Sequence, residues 1–432
     1  MMAKNSRYRW FHQKIYTAGD HEQFFRNRNK VPNNSSLRVL NEDIVANTFN
    51  YIFEQLKKGI FIQYMNSKLV FLPFSNAHFQ NKWSEYIRVD PTQYRSVNDF
   101  LREVQLKMGY DFNPRKIKPI YHWYANNMIV RYDFHEGESG VVTLHDMFSQ
   151  IKIDDFSEFF VNKRDFPLLR KDGNLPYSKL YGFQRIPKKY KQNFSPILSM
   201  VKHDDYQDIP IPTWADWNQA NKNEQFDTPW EIKIPKVVFR GASTGPAIDN
   251  PRINACKLEF PWLDAGITKW NFRPRIDQDK SPFLQIIDTN GIKLKSFISK
   301  QEQSKFKFIL NIPGHVCAYR LSTELKMGCV IFLVESEYKL WYHEFLKPTN
   351  ITTGDLGHYI SIKPNLSNLE QVYKWCITHD TECQTIVQNA KIFYEEYLTK
   401  SKLLENLEKI IKLNCESNYT YEQNPFEKQL VI

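Results

Sequence analysis

The chain has 432 residues, 42% apolar and 15% aromatic, enough to bury two ordinary α/β cores and too apolar to stay unfolded. A formal net charge of +10 permits an anionic partner. Its charges are interspersed, and no zinc-finger, RNP-like or helix-turn-helix pattern accompanies them, so nucleic-acid binding is not expected.

Residues 1–35 read as irregular and polar, and 41–59 as a capped amphipathic helix ending at Gly59. Residues 61–72 alternate as a hairpin turning at Asn66-Ser67, 97–108 form a helical candidate, and 129–134 a short strand. A helix over 145–151 follows, then a strand over 159–161 that ends at Asn162-Lys163-Arg164-Asp165. A strand over 197–201 leads into a loop rich in His, Asp and Pro, before Trp214, Trp217 and Trp230. The second half offers strands at 237–239, 284–287, 306–312, 330–334 and 359–362. Helices after Pro251 and over 316–327 and 368–379 alternate with them, the pattern of a parallel, doubly wound sheet. A last long helix over 381–411 has the apolar spacing to pack across both domains.

No run is long enough to cross a bilayer; the longest, 329–334, is far too short. The start, MMAKNSRYRWFHQKIY, has no apolar core, so no secretory signal is read. Six cysteines without a CxxC pair read as buried free thiols in a reducing, cytoplasmic setting. The histidines are scattered without an HxxxH pair, so no metal site is expected.

Ligands of doubly wound sheets sit beyond the carboxyl ends of the strands. There the sequence places Arg240 with the small-residue turn Gly241-Ala242-Ser243-Thr244-Gly245, then Gly314 with Arg320, and in the first half Arg164-Asp165. Guanidiniums, hydroxyls and free N–H groups suit a diphosphate, and a carboxylate opposite them suits deprotonation of an incoming hydroxyl. Each element has a plainer reading. RGxSTG lacks the Lys and spacing of a P-loop and can be an ordinary loop. Asp165 before Phe166-Pro167 can be a turn residue, and Arg320 can pair with a structural acid such as Glu324. The acids Asp204, Asp205 and Asp208, ahead of Ile209-Pro210, read as a solvated or acceptor-facing loop rather than a metal motif.

Four segments in order resemble glycosyltransferase family 90, which includes capsule-associated xylosyltransferases, lipopolysaccharide-modifying enzymes and secretory protein O-glucosyltransferases. They are FFVNKRDFP from Phe159, ILSMVKHDDYQDIPIPTWADW from Ile197, VVFRGASTG from Val237, and the block from Lys305 through HYISIKPNLSNL. The resemblance covers roughly residues 121–398 and leaves 1–110 unassigned. It implies a GT-B architecture: two Rossmann-like domains facing across a cleft, 1–232 on the acceptor side and 233–385 binding the UDP-sugar. Residues 386–432 would be a helix and tail packing back on the first domain. It further implies inverting, metal-independent transfer from a UDP-sugar, UDP-glucose or UDP-xylose, to a hydroxyl of a glycan or protein. Asp165 would be the general base, with Arg164, Asp208 and Trp214 on the acceptor side. Arg240, Gly241, Ser243, Thr244, Gly245, Arg252, Gly314 and Arg320 would hold the donor diphosphate. No cofactor, nucleic acid or membrane span is implied. Ser243 stands where the secreted protein O-glucosyltransferases carry a second basic residue, which is closer to the capsule and lipopolysaccharide branch. The alternative is a catalytically inactive glycan- or nucleotide-binding protein of the same fold.

Overall fold

A computed structural model of the chain describes residues 42–75, 120–124, 128–132, 138–176, 185–245, 250–271 and 289–415, less positions 57, 66, 155, 191, 192, 223 and 290. The helix expected over 97–108 and the strand over 284–287 lie outside the described residues.

The first half is built on a five-stranded mixed sheet in the order β2-β1-β5-β6-β7: β1 Lys58–Met65, β2 Lys68–Ser75, β5 Ser157–Asn162, β6 Ile197–Ser199 and β7 Ile209–Pro210. A separate hairpin pairs β3 Ile120–Tyr124 with β4 Met128–Tyr132. The β1–β2 hairpin turns where the sequence places it, with Ser67 in the left-handed region at φ 59°. β1 pairs antiparallel with β5, whereas β5, β6 and β7 run parallel. Every residue of β5 is buried, so Asn162 delivers the following loop from the middle of the sheet. The helix expected over 41–59 is shorter. α1 spans Glu42–Tyr51 and a π-helical turn Ile52–Leu56 closes it, because Lys58 and Gly59 already belong to β1. α2, Glu138–Phe148, starts a full turn and more before the expected 145.

The second half holds a six-stranded sheet, wholly parallel, in the order β12-β13-β11-β10-β8-β9. Its strands are β8 Ile234–Ala242, β9 Leu263–Lys269, β10 Phe306–Asn311, β11 Val330–Val334, β12 Pro348–Thr349 and β13 Tyr359–Ile362. Alternation assigns its faces. Val237, Phe239, Phe308, Leu310, Val330 and Phe332 share one core with α4 Pro251–Lys257 and α7 Leu369–Thr378. Val238 and Ile309 belong to a different cluster, and Ile331 and Leu333 to the core of the first half. Both faces are covered, as a doubly wound sheet requires.

Two helical expectations change in detail. The run 316–327 holds only α6, Leu321–Glu324, since i→i−3 bonds such as Lys326 N–H to Thr323 O tighten the chain before Gly328 turns it at φ 69°. The long final helix is two, α8 Asp380–Tyr397 and α9 Lys400–Cys415. Cys383 and Ile386 of α8 lie in the core of the second half. Phe393 and Tyr394, with Leu403, Leu407 and Ile411 of α9, lie in that of the first. No described helix is long and apolar enough to cross a membrane.

His145 on α2 is buried edge-on against Phe71, ring centroids 5.1 Å apart. Burial lowers its pKa to about 4, against an opposing pull from Asp146. The unfolded chain therefore takes up a proton between its ordinary value and about 4 that the folded protein refuses, and stability falls as pH drops through that window. The loss should reach roughly 3 kcal/mol. Urea unfolding at about pH 7 and about pH 4.5 should show a smaller acid loss for His145→Gln than for the native protein.

Candidate functional site

The carboxyl ends of β8 and β10 bring four of the expected donor-side residues together. Arg252, in the first turn of α4, is 7% exposed. Its Nη1 donates to Ala242 O at 2.9 Å and Thr244 Oγ1 at 2.6 Å. Its Nη2 donates to Ile312 O at 2.9 Å, and its Nε reaches Ile312 O and Pro313 O, each at 3.2 Å. Every one of these acceptors is neutral. Arg320 stands beside it, and both guanidiniums lie over the Phe239 ring, at 5.9 Å for Arg252 and 5.5 Å for Arg320. Burial and then the Arg320 charge push the Arg252 pKa down to about 9, with Glu324 pulling the other way. Gly314 closes the cluster: a Cβ there would meet Thr244 Oγ1 at 2.6 Å. At Gly241 a Cβ would press on the Phe239 ring and Arg252.

The loop at Thr244 is shaped by its own chain. Asn250 caps α4, accepting from the Arg252 and Ile253 amides, and donates to Ser243 O at 3.1 Å. Gly245, at φ 140°, leaves the space that Asn250 fills. Ser243 is buried, and its Oγ accepts the Asn271 amide at 2.8 Å.

Arg240 does not join this cluster. The sequence suggests a turn after Phe239, but β8 continues to Ala242, and alternation sends Arg240 to the face opposite Phe239. There its Nη2 grips Asp264 at 2.8 and 3.0 Å and its Nη1 donates to Asp264 O at 2.7 Å. Burial pushes the Asp264 carboxyl up, but hydrogen bonds from Arg240 and Lys295 hold it below its ordinary value. Arg240 thus fastens β8 to β9.

Asp165 is exposed on the loop that leaves β5. Its charge acts on Tyr319, the neighbour of Arg320, whose hydroxyl is buried and whose pKa is raised chiefly by that burial and then by Asp165. Trp214, at the start of α3 Trp214–Lys222, packs edge-on against the same Tyr319 at 6.3 Å. Arg164 points back into the fold, its Nε donating to Leu56 O at 2.7 Å.

The Asp165 loop is held by side chains on both sides. Asn162 Oδ1 accepts the Arg164 amide at 2.6 Å, while its Nδ2 donates to Phe166 O at 2.6 Å and Ser199 Oγ at 2.9 Å. Asp208 is buried and accepts from the Leu168 and Leu169 amides, each at 2.7 Å, and from Ser199 Oγ at 2.6 Å. Burial raises its pKa, and the same hydrogen bonds pull against that rise. Asp208 therefore faces the loop rather than solvent, unlike Asp204, whose side chain is 74% exposed. Beside the loop, Phe166 packs edge-on against Tyr338, and Tyr338 against His203. A cavity of about 560 Å³ opens there between His203–Asp205 and Glu335–Lys339.

Asn162, Ser199 and Tyr319 lie within the segments that carry the resemblance but have no role assigned there, and Asp264 lies in none of them, because each acts through a distant contact. Among the described residues, no group of three or more His, Cys, Asp or Glu side chains is placed to hold a metal ion.

Compared with known proteins, the chain matches Glycosyl transferase family 90 over residues 134–414. It is 34% identical to uncharacterized protein 179R of Invertebrate iridescent virus 6, across 96% of this chain and 43% of that one. Uncharacterized protein 027R of Frog virus 3 is 30% identical across 78% of this chain and 38% of its own length. The chain thus spans less than half the length of these viral relatives. Protein O-glucosyltransferase 1 of Homo sapiens is 22% identical across 62% of this chain and 66% of its own.

Removing Asp208 leaves two buried amides without acceptors. Asp208→Ala should cost roughly 3 kcal/mol in urea unfolding and speed amide exchange at Leu168 and Leu169. Asp204→Ala, which removes an exposed partner of Lys339 at 3.7 Å, should cost less than about 0.5 kcal/mol.

Proposed function

The chain belongs to glycosyltransferase family 90, and from that premise we propose that it transfers glucose or xylose from a UDP-sugar to a hydroxyl of a glycan or protein. The observation that carries the donor half is the buried Arg252, which meets no carboxylate among the described residues, beside Arg320. Two adjacent guanidiniums in low dielectric destabilise each other until an anion joins them, and a diphosphate offers oxygens for both. The relatives named protein O-glucosyltransferase favour glucose as the sugar.

In the transfer, Asp165 takes the proton of the acceptor hydroxyl as that oxygen bonds to the anomeric carbon. The bond from that carbon to the diphosphate oxygen breaks on the opposite side, and the electron pair leaves with the UDP. Arg252 and Arg320 receive the charge that develops there, and Thr244 Oγ1 stands within reach of the same group. The two guanidiniums supply the positive charge that a divalent ion would otherwise bring, so we propose a metal-independent reaction. Attack opposite the leaving group inverts the anomeric centre, which requires base and cations to stand on opposite sides of a cleft. We read the two sheets as the two halves of a GT-B fold on that ground. The cavity between His203–Asp205 and Glu335–Lys339, beside the Asp165 loop, offers the acceptor its approach.

Asp165→Asn should lower kcat for UDP release by ~10²–10⁴-fold and leave the Kd for UDP within about twofold. Arg252→Met and Arg320→Met should each weaken UDP binding by at least roughly tenfold in calorimetry. Equal losses of rate and of UDP affinity in Asp165→Asn would remove Asp165 from the base role.

A further inference from the structure

Glu324 ends α6, one helical turn after Arg320, and is 2% exposed. Its Oε1 accepts from Arg320 Nε at 2.7 Å, and its Oε2 accepts from Asn311 Nδ2 at 2.5 Å. The carboxylate grips Arg320 by its inner nitrogen only. Among the described residues, the two terminal amino groups of Arg320 have no hydrogen-bond partner. Arg252, with no carboxylate of its own among the described residues, feels the charges of both Arg320 and Glu324. One buried carboxylate thus stands behind two guanidiniums and offsets one of their two charges.

That placement has two opposed consequences. In the free protein it lets a buried and a half-buried guanidinium lie near each other. Once an anion arrives at the unbonded terminal nitrogens of Arg320, beside Arg252, the same carboxylate repels it at short range. We propose that Glu324 sets the affinity of the two-arginine centre for a nucleoside diphosphate, holding it below what the arginines alone would give. The proposal rests on the reading of Arg252 and Arg320 as the diphosphate site. The benefit falls at the end of the cycle, where release of a tightly held diphosphate would otherwise limit turnover.

Glutamine separates charge from contact. Glu324→Gln keeps the side-chain length, and its Oε1 still accepts from Arg320 Nε. Asn311 needs only to turn its amide over to meet the new Nε2. The test is calorimetric titration of the full chain with UDP at one fixed low salt concentration, for the native protein, Glu324→Gln and Glu324→Asp. We expect Glu324→Gln to bind UDP roughly tenfold more tightly. We also expect it to melt at a lower temperature without UDP, and to gain more from UDP than the native protein does. Glu324→Asp keeps the charge on a shorter arm and should stay within about twofold of native.

Native or weaker UDP affinity in Glu324→Gln, with native UDP binding intact, would overturn the role of Glu324 and leave the diphosphate site standing. No UDP binding by the native protein would overturn both. If Glu324→Gln does not fold, Glu324→Asp decides alone. Near-native affinity supports the charge role, and a loss of roughly tenfold or more assigns Glu324 to holding Arg320 by contact instead.

Discussion

A guanidinium taken out of water and given only carbonyl and hydroxyl oxygens is the constraint around which this site is arranged. Among the described residues Arg252 meets four such oxygens and no carboxylate, and Arg320 adds a second positive charge beside it. Desolvation of a charge is costly unless an opposite charge compensates it. Among the described residues the compensation is partial and comes from Glu324, at longer range for Arg252 and directly for Arg320. The surrounding backbone is shaped to permit the arrangement. Gly241 and Gly314 carry no side chain where one would strike Phe239, Arg252 or Thr244, and Asn250 ties the loop from Ser243 to α4.

The Asp165 loop is held in a different way. Asp165 stands exposed on a loop, yet the residues on either side of it are fixed by hydrogen bonds. Asn162 holds Arg164 and Phe166, and Asp208 holds Leu168 and Leu169. Ser199 joins the two, accepting from Asn162 and donating to Asp208. An anchored loop gives Asp165 a defined position, as the general-base role we propose for it requires. Tyr319, the residue before Arg320, feels the Asp165 charge and meets the Trp214 ring, which links this loop to the neighbourhood of the cations.

Much of this architecture is legible in the sequence where apolar runs are short and continuous. The strand over 330–334 is found at its bounds because a fully buried parallel strand leaves no polar residue to blur its ends, and that over 359–362 because Ile360 and Ile362 alternate into the core. β9 is missed because its run, LDAGITK, is broken by Gly266, which makes room for the Lys295 side chain. The final helix reads as continuous because apolar residues keep helical spacing across its break. The interval of five between Leu398 and Leu403 is the one sign of it. Of the site, Thr244, Arg252, Gly314 and Arg320 are legible as a group. Arg240 is not separable from them by motif, because whether it lies on their face depends on β8 continuing past Phe239, and one residue of strand reverses the side. The Arg320–Glu324 pair is legible from its i,i+4 spacing, but the burial that gives it consequence is not.

The central claim is that Arg252 and Arg320 form a centre for two linked phosphates, and the most direct test compares UDP, UMP and uridine as ligands of the native chain in one calorimetric series. The account predicts that UDP binds at least roughly tenfold more tightly than UMP, that uridine binds weakest, and that added salt narrows the difference. Equal affinity for UDP and UMP, unchanged by salt, would contradict it.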